Sequence, residues 1–61
     1  MHPTRRYFAF DHLPEGQLRE TSARFSTLAE ELDRLPEGAE KSAGMRKLLE
    51  AKDCFVRAAL D

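Results

Sequence analysis

Cysteine is nearly absent from this sequence, which has Cys54 alone, and tryptophan is missing altogether. A single cysteine excludes an internal disulfide. On an apolar helix face it is more often a small buried hydrophobe than a ligand or nucleophile. His2, His12 and Cys54 show no CxxC or HxxxH spacing, so we expect no metal site.

Long apolar runs are missing too. No stretch approaches the roughly 18 residues of a membrane span, and Met1 to Asp11 contains no signal-peptide hydrophobic region. Ten basic and eleven acidic side chains leave a net charge of −1. We therefore expect a cytoplasmic protein that binds neither membranes nor duplex nucleic acid, although a local pocket for a small anion remains open.

The chain has 61 residues, enough for one small domain. A domain of this size buries only about 60% of the surface of its unfolded chain, which makes a lone core marginal. Self-association is one way to supply the missing burial.

What is present is helical periodicity. Pro14 and Glu15 favour a helix start, and Pro36 with Gly38 ends the pattern after Leu35. We predict a first helix over 14–35. Its apolar seam, at steps of three and four, consists of Leu18, Thr21, Phe25, Leu28, Leu32 and Leu35.

A second helix is predicted over 39–60, after a turn at 36–38. So short a connection makes the helices antiparallel neighbours, so the predicted fold class is all-α, a two-helix antiparallel hairpin in a single domain, 1–61. Four residues of the second helix are expected to face the first: Met45, Leu48, Phe55 and Ala59. A row of small residues is expected beyond that face: Ala51, Cys54 and Ala58. Because this row needs cover of its own, we expect the hairpin to assemble into a helical oligomer.

Residues 1–12 are predicted to form a short extended arm, because Tyr7 to Phe10 is rich in aromatic residues. Two interpretations stay open for these aromatics. They pack on a neighbouring subunit, or they stack on a planar ligand.

Catalysis finds little support, since the sequence has no nucleophile elbow and no glycine-rich phosphate loop. Binding of a small anion is the more interesting possibility. The N–H groups at the start of the second helix, with Lys41 and the Ser42 hydroxyl, are candidates for holding a phosphate. The alternative is ordinary capping, in which Lys41 pairs with Glu37. Arg57, in an apolar stretch, presents a similar choice between Asp53 and a ligand phosphate.

Several short stretches together resemble a known family. They are His12-Leu13-Pro14, Leu28 to Leu32, the proline-glycine turn, and a pattern EKSxxxxKLxEAxxxxxxAA that runs from Glu40 to Ala59. The chain is similar over most of residues 10–60 to the phage helical-hairpin family of anti-CBASS and anti-Thoeris sponges.

The resemblance implies a protein that is not an enzyme and needs no cofactor. Such proteins sequester cyclic nucleotide immune signals, including cyclic di- and trinucleotides and cyclic ADP-ribose variants, in the cytoplasm of the infected bacterial host. They form homo-oligomers, commonly hexamers, with pockets between subunits. By this resemblance Phe10 and His12 lie where an aromatic stacks on a nucleobase, Arg24 is the candidate phosphate ligand of the first helix, and Arg57 and Ala58 match a second, threefold site. The alternative function is a small oligomeric helical interaction module, such as an antitoxin or a direct inhibitor of another protein.

Overall fold

A computed structural model describes residues 3–10, 12–13 and 16–60. The order of elements is a 3₁₀ helix at Pro3–Phe8, α1 at Gln17–Leu32 and α2 at Ala39–Leu60. No strand occurs among the described residues. The predicted all-α class and the two packed helices are therefore confirmed, and α2 has the range that the sequence predicted.

The two helices run antiparallel. Near the turn, Asp33, just after α1, pairs with Lys41 at the start of α2. Farther from the turn, the rings of Phe25 and Phe55 stack with their centroids 5.8 Å apart. An ideal helix with the 22 residues of α2 is about 33 Å long. The described chain is elongated to match, with extents of 35 × 18 × 14 Å.

The prediction of an extended arm was wrong for Pro3–Phe8, which form a 3₁₀ helix. Proline holds φ near −65°, a value that a 3₁₀ helix shares. A 3₁₀ helix forms backbone hydrogen bonds within the segment, whereas an extended segment has to find its partners elsewhere. The coiled segment brings Phe8 onto the hairpin of its own chain, where its side chain is 1% exposed.

The described part of α1 is shorter than predicted. It begins at Gln17 after Gly16, whose φ of 131° suits glycine, while Pro14 and Glu15 lie outside the described residues. At its other end the helix stops at Leu32 instead of Leu35. The N–H groups of Arg34 and Leu35 donate to carbonyls three residues back, which tightens the chain before Pro36.

The predicted seam is rotated by about one residue. Leu28 and Leu35, expected in the seam, are exposed, whereas Ser22 and Ala29 are buried. The buried apolar core consists of Phe8, Ala29 and Met45, with Phe25, Leu32, Leu48 and Leu49 packed against it. The small side chains at positions 22 and 29 allow the neighbouring segments to pack closely against α1. The sequence pattern missed this because it assigned the larger apolar residues to the seam and gave no sign that Phe8 packs against Ala29 and Met45.

Much of the end of α2 is exposed. Phe55 is 58% exposed although it stacks on Phe25, and Leu60 is exposed as well. Cys54, expected as a buried hydrophobe, is exposed in the single chain. The hairpin therefore leaves one face of its second helix uncovered.

Because Met45 is 2% exposed in the centre of the core, Met45→Ala should lower the free energy of unfolding by about 2–5 kcal/mol. Arg46→Ala, at the exposed neighbouring position, should change it by less than about 0.5 kcal/mol. Urea unfolding followed by circular dichroism measures both. Equal losses would contradict the observed position of the core.

Candidate functional site

Four charged side chains meet beside the turn: Arg5, Asp33, Glu37 and Lys41. The two carboxylate oxygens of Asp33 each contact a cation: Oδ2 lies 3.2 Å from Arg5 Nη1, and Oδ1 lies 3.1 Å from Lys41 Nζ. The side chains of Asp33 and Lys41 are 9% and 5% exposed. Asp33 therefore links the 3₁₀ helix, the end of α1 and the start of α2.

Lys41 also closes the end of α1. Its ammonium donates to the carbonyl oxygens of Asp33 and Leu35, at 2.6 and 3.0 Å, and to the carboxylate of Glu37. Carbonyls at a helix C-terminus lack partners within the helix, and a lysine is one way to satisfy them. The hydrogen bond to Glu37, together with Asp33, raises the pKa of Lys41 above its ordinary value of 10.5, against an opposing effect of burial.

This geometry bears on the phosphate-binding prediction for Lys41 and Ser42. An ammonium has three donors, and those of Lys41 face four acceptors of this chain. The backbone N–H of Ser42 donates to the carbonyl of Gly38 as part of the helix. The capping interpretation of Lys41 thus describes its contacts here, and a phosphate at this position would have to displace them.

A second candidate region lies at the other end of the hairpin, away from the turn. We call it the open-end groove. It has a volume of about 380 Å³ and is lined by Gln17, Thr21, Arg24, Phe25, Phe55, Ala58 and Ala59. Two residues predicted for the site, Arg24 and Ala58, are brought together here. The stacked rings of Phe25 and Phe55, which the prediction did not include as site residues, form its aromatic wall.

Arg57 lies next to Ala58 on the exposed end of α2. The pairing with Asp53 that its spacing suggested is replaced by a contact between Arg57 Nη2 and Cys54 Sγ, at 3.4 Å. Asp53 instead forms an ion pair with Lys52, in which Oδ1 lies 3.1 Å from Nζ. A guanidinium has five N–H donors, and the thiol of Cys54 is a weak acceptor for one of them. The other donors of Arg57 can therefore bind another group.

Phe10 lies in a separate depression of about 420 Å³, the arm groove, which is lined by Phe10, Gly16, Arg19, Glu20 and Ala23. The guanidinium carbon of Arg19 is 5.9 Å from the centre of the Phe10 ring. His12 is exposed in the segment between the 3₁₀ helix and α1, and it does not line this groove. Phe10 and His12, which the resemblance places where an aromatic stacks on a nucleobase, therefore do not line one groove in the single chain, whereas Phe10 and Arg19 do.

A third concavity, the turn groove, is larger than the open-end and arm grooves and was not predicted. It has a volume of about 650 Å³ and a mostly apolar wall, lined by Leu32, Leu35, Pro36, Glu40, Lys41, Gly44, Met45, Lys47, Leu48 and Ala51. The sequence signal for it was the apolar excess of α2 together with Leu35, which the predicted seam had placed in the interior.

The predicted site residues fall into groups that one chain keeps apart. Lys41 and Ser42 lie at the turn, while Arg24 and Ala58 lie at the open end. From Lys41 to Ala58 the helix rises about 25 Å. One ligand cannot contact both groups of a single chain.

Two kinds of feature are absent from the described residues. No cluster of His, Cys, Asp and Glu is arranged to hold a metal ion. Neither helix offers the length of apolar sequence that crossing a membrane requires. Comparisons with protein-family models, with curated proteins and with solved structures gave no match to this chain.

The raised pKa of Lys41 predicts how stability depends on pH. Its charged form is favoured by folding, so its stabilising contribution is complete below pH 10.5 and is lost as the pH rises through the higher pKa of the folded state. Wild type should therefore lose more stability above pH 10.5 than Lys41→Met does. Urea unfolding at a series of pH values measures this difference. Lys47→Met, at an exposed lysine of the same helix, should retain the wild-type pH dependence, and an identical response of all three proteins would contradict the assignment.

Proposed function

We propose that this protein sequesters cyclic nucleotide immune signals without chemically changing them, and that the open-end groove contributes to the binding site. The observation that carries the proposal is that Arg24 and the exposed ring of Phe55 line the same groove. An aromatic ring stacks on a nucleobase for about 1–3 kcal/mol, and a guanidinium makes paired hydrogen bonds to a phosphate.

The small side chains in this groove also suit such a ligand. Ala58 and Ala59 form part of its wall and leave room for a planar group against Phe55. Arg57, exposed on the same turn of α2, supplies a second cation near the groove. Aromatic surface, space and positive charge are the handles that a cyclic oligonucleotide requires.

The groove is open along its length, so we propose that copies of the chain close it. A homo-oligomer, with a hexamer as the expected form, would cover the exposed ends of α2 and place pockets between subunits. Such a shared pocket would also let Phe10, at the arm groove of one subunit, contact a ligand held by Arg24 of another. The proposed setting is the cytoplasm of an infected bacterium, where removal of the signal would block anti-phage defence.

A second candidate is a helical module that binds another protein, as a small antitoxin or a direct inhibitor does. The apolar wall of the turn groove, with Leu35 exposed at its edge, favours this function. A groove between two helices commonly accepts the apolar face of a partner helix. This function would not depend on Arg24.

Cyclic dinucleotides, cyclic trinucleotides and cyclic ADP-ribose variants should be tested in a thermal-shift panel. A ligand that binds only the folded protein, supplied at 100 times its dissociation constant, should stabilise it by about 2.7 kcal/mol. Arg24→Gln should abolish this shift, whereas Arg34→Gln, at an exposed position beyond the same helix, should retain it. No shift with any compound would refute the sponge, and recovery of altered nucleotide from the complex would indicate an enzyme.

Native mass spectrometry should detect an assembly of several chains that carries intact cyclic nucleotide. Phe55→Glu places a charge on the exposed aromatic wall, so it should weaken both assembly and ligand retention, while Glu30→Gln, on the exposed surface of α1, should affect neither. Assembly that survives without any retained nucleotide would favour the protein-binding module. A single folded chain at micromolar concentration would count against the shared pocket.

A further inference from the structure

The 3₁₀ helix at Pro3–Phe8 is held on the hairpin by side chains. Phe8 enters the core beside Ala29 and Met45, and Arg5 reaches Asp33 beyond the end of α1. The backbone hydrogen bonds found outside the helices lie in the linker, the turn and the helix ends. Among the described residues, none joins the 3₁₀ helix to α1 or α2. Removal of this segment would therefore break no backbone hydrogen bond of the described hairpin.

Breaking the ion pair between Arg5 and Asp33 has different consequences for its two members. When Arg5 leaves, the carboxylate of Asp33 still has Lys41 as a counterion, at 3.1 Å. A buried carboxylate with no partner would oppose the separation strongly, and Lys41 removes that obstacle. On the other side, Arg5 Nε is buried without a hydrogen-bond partner, so it gains water when the guanidinium moves into solvent.

We propose that Pro3–Phe8 is a strap that opens while the two long helices remain paired, with the Arg5–Asp33 contact as its latch. Closure buries Phe8 and fixes Arg5 on Asp33. Opening withdraws Phe8 from the core and leaves Asp33 paired with Lys41, so the cap on the end of α1 persists. A 3₁₀ helix of six residues has little stability of its own, so the strap loses its structure on release.

Opening changes the surface that the protein offers. Met45 belongs both to the core that Phe8 covers and to the wall of the turn groove. When Phe8 leaves, the buried side chains around Met45 become continuous with that groove. The strap thus controls how much apolar surface the hairpin exposes, whether or not the chain binds a nucleotide.

Chymotrypsin cleavage of the full chain after Phe8 tests the strap, because the buried Phe8 ring must leave the core before the protease can bind it. With rapid reclosure, the cleavage rate follows the population of the open state. Arg5→Gln should raise the rate at Phe8–Ala9 by about tenfold, the effect expected for the loss of a charged hydrogen bond. Arg6→Gln is the matched control. Arg6 is exposed and contacts Tyr7 within the same segment, so this variant should stay within about twofold of wild type.

Urea distinguishes opening of the strap from unfolding of the whole chain. Cleavage after Phe8 should rise weakly with urea, because opening exposes much less surface than unfolding of the whole chain, whereas cleavage after Phe25 inside α1 should rise steeply. Amide hydrogen exchange of α1 and α2 in Arg5→Gln should match wild type. Equal rates in the two arginine variants, or the same urea dependence at the two bonds, would overturn the proposal.

Discussion

The carboxylate of Asp33, shared between Arg5 and Lys41, is the interaction on which the arrangement of this molecule depends. It lies just after α1, and its two cations come from the segments that precede and follow that helix. Coulombic attraction between partly buried groups is stronger than between groups in water, provided that the charges are paired. Asp33 thus holds three segments together at one end of the hairpin.

The opposite end has no comparable clamp among its described contacts. There the helices meet through the stacked rings of Phe25 and Phe55, and Phe55 still exposes more than half of its surface. Among the residues that the structure describes, three apolar side chains make up the fully buried core, and they lie toward the turn. Burial of exposed apolar surface is favourable in free energy. Another molecule would therefore bind most favourably at the open end and at the turn groove, where this surface lies.

The parts of the fold that the sequence predicted are those set by local chemistry. Pro36 and Gly38 mark the turn, and the spacing of Glu37 and Lys41 anticipated a hydrogen bond that the structure contains. The parts it missed depend on distant residues. Nothing local indicates that Arg5 meets Asp33, 28 positions away. The burial of Ala29 in place of Leu28 was missed because the pattern could not show that Phe8 returns to cover α1.

The candidate site residues are divided between the two ends of the hairpin. Arg24 and Ala58 share a groove because antiparallel pairing brings the start of α1 to the end of α2. Lys41 and Ser42 belong to the other end, where Lys41 already satisfies the helix terminus. A ligand that contacted both ends would need a second chain, since about 25 Å of rigid helix separates them in one. The local contacts of Lys41 and the distance along α2 therefore make the open end, with Arg24 and Phe55, the better place to look for a ligand.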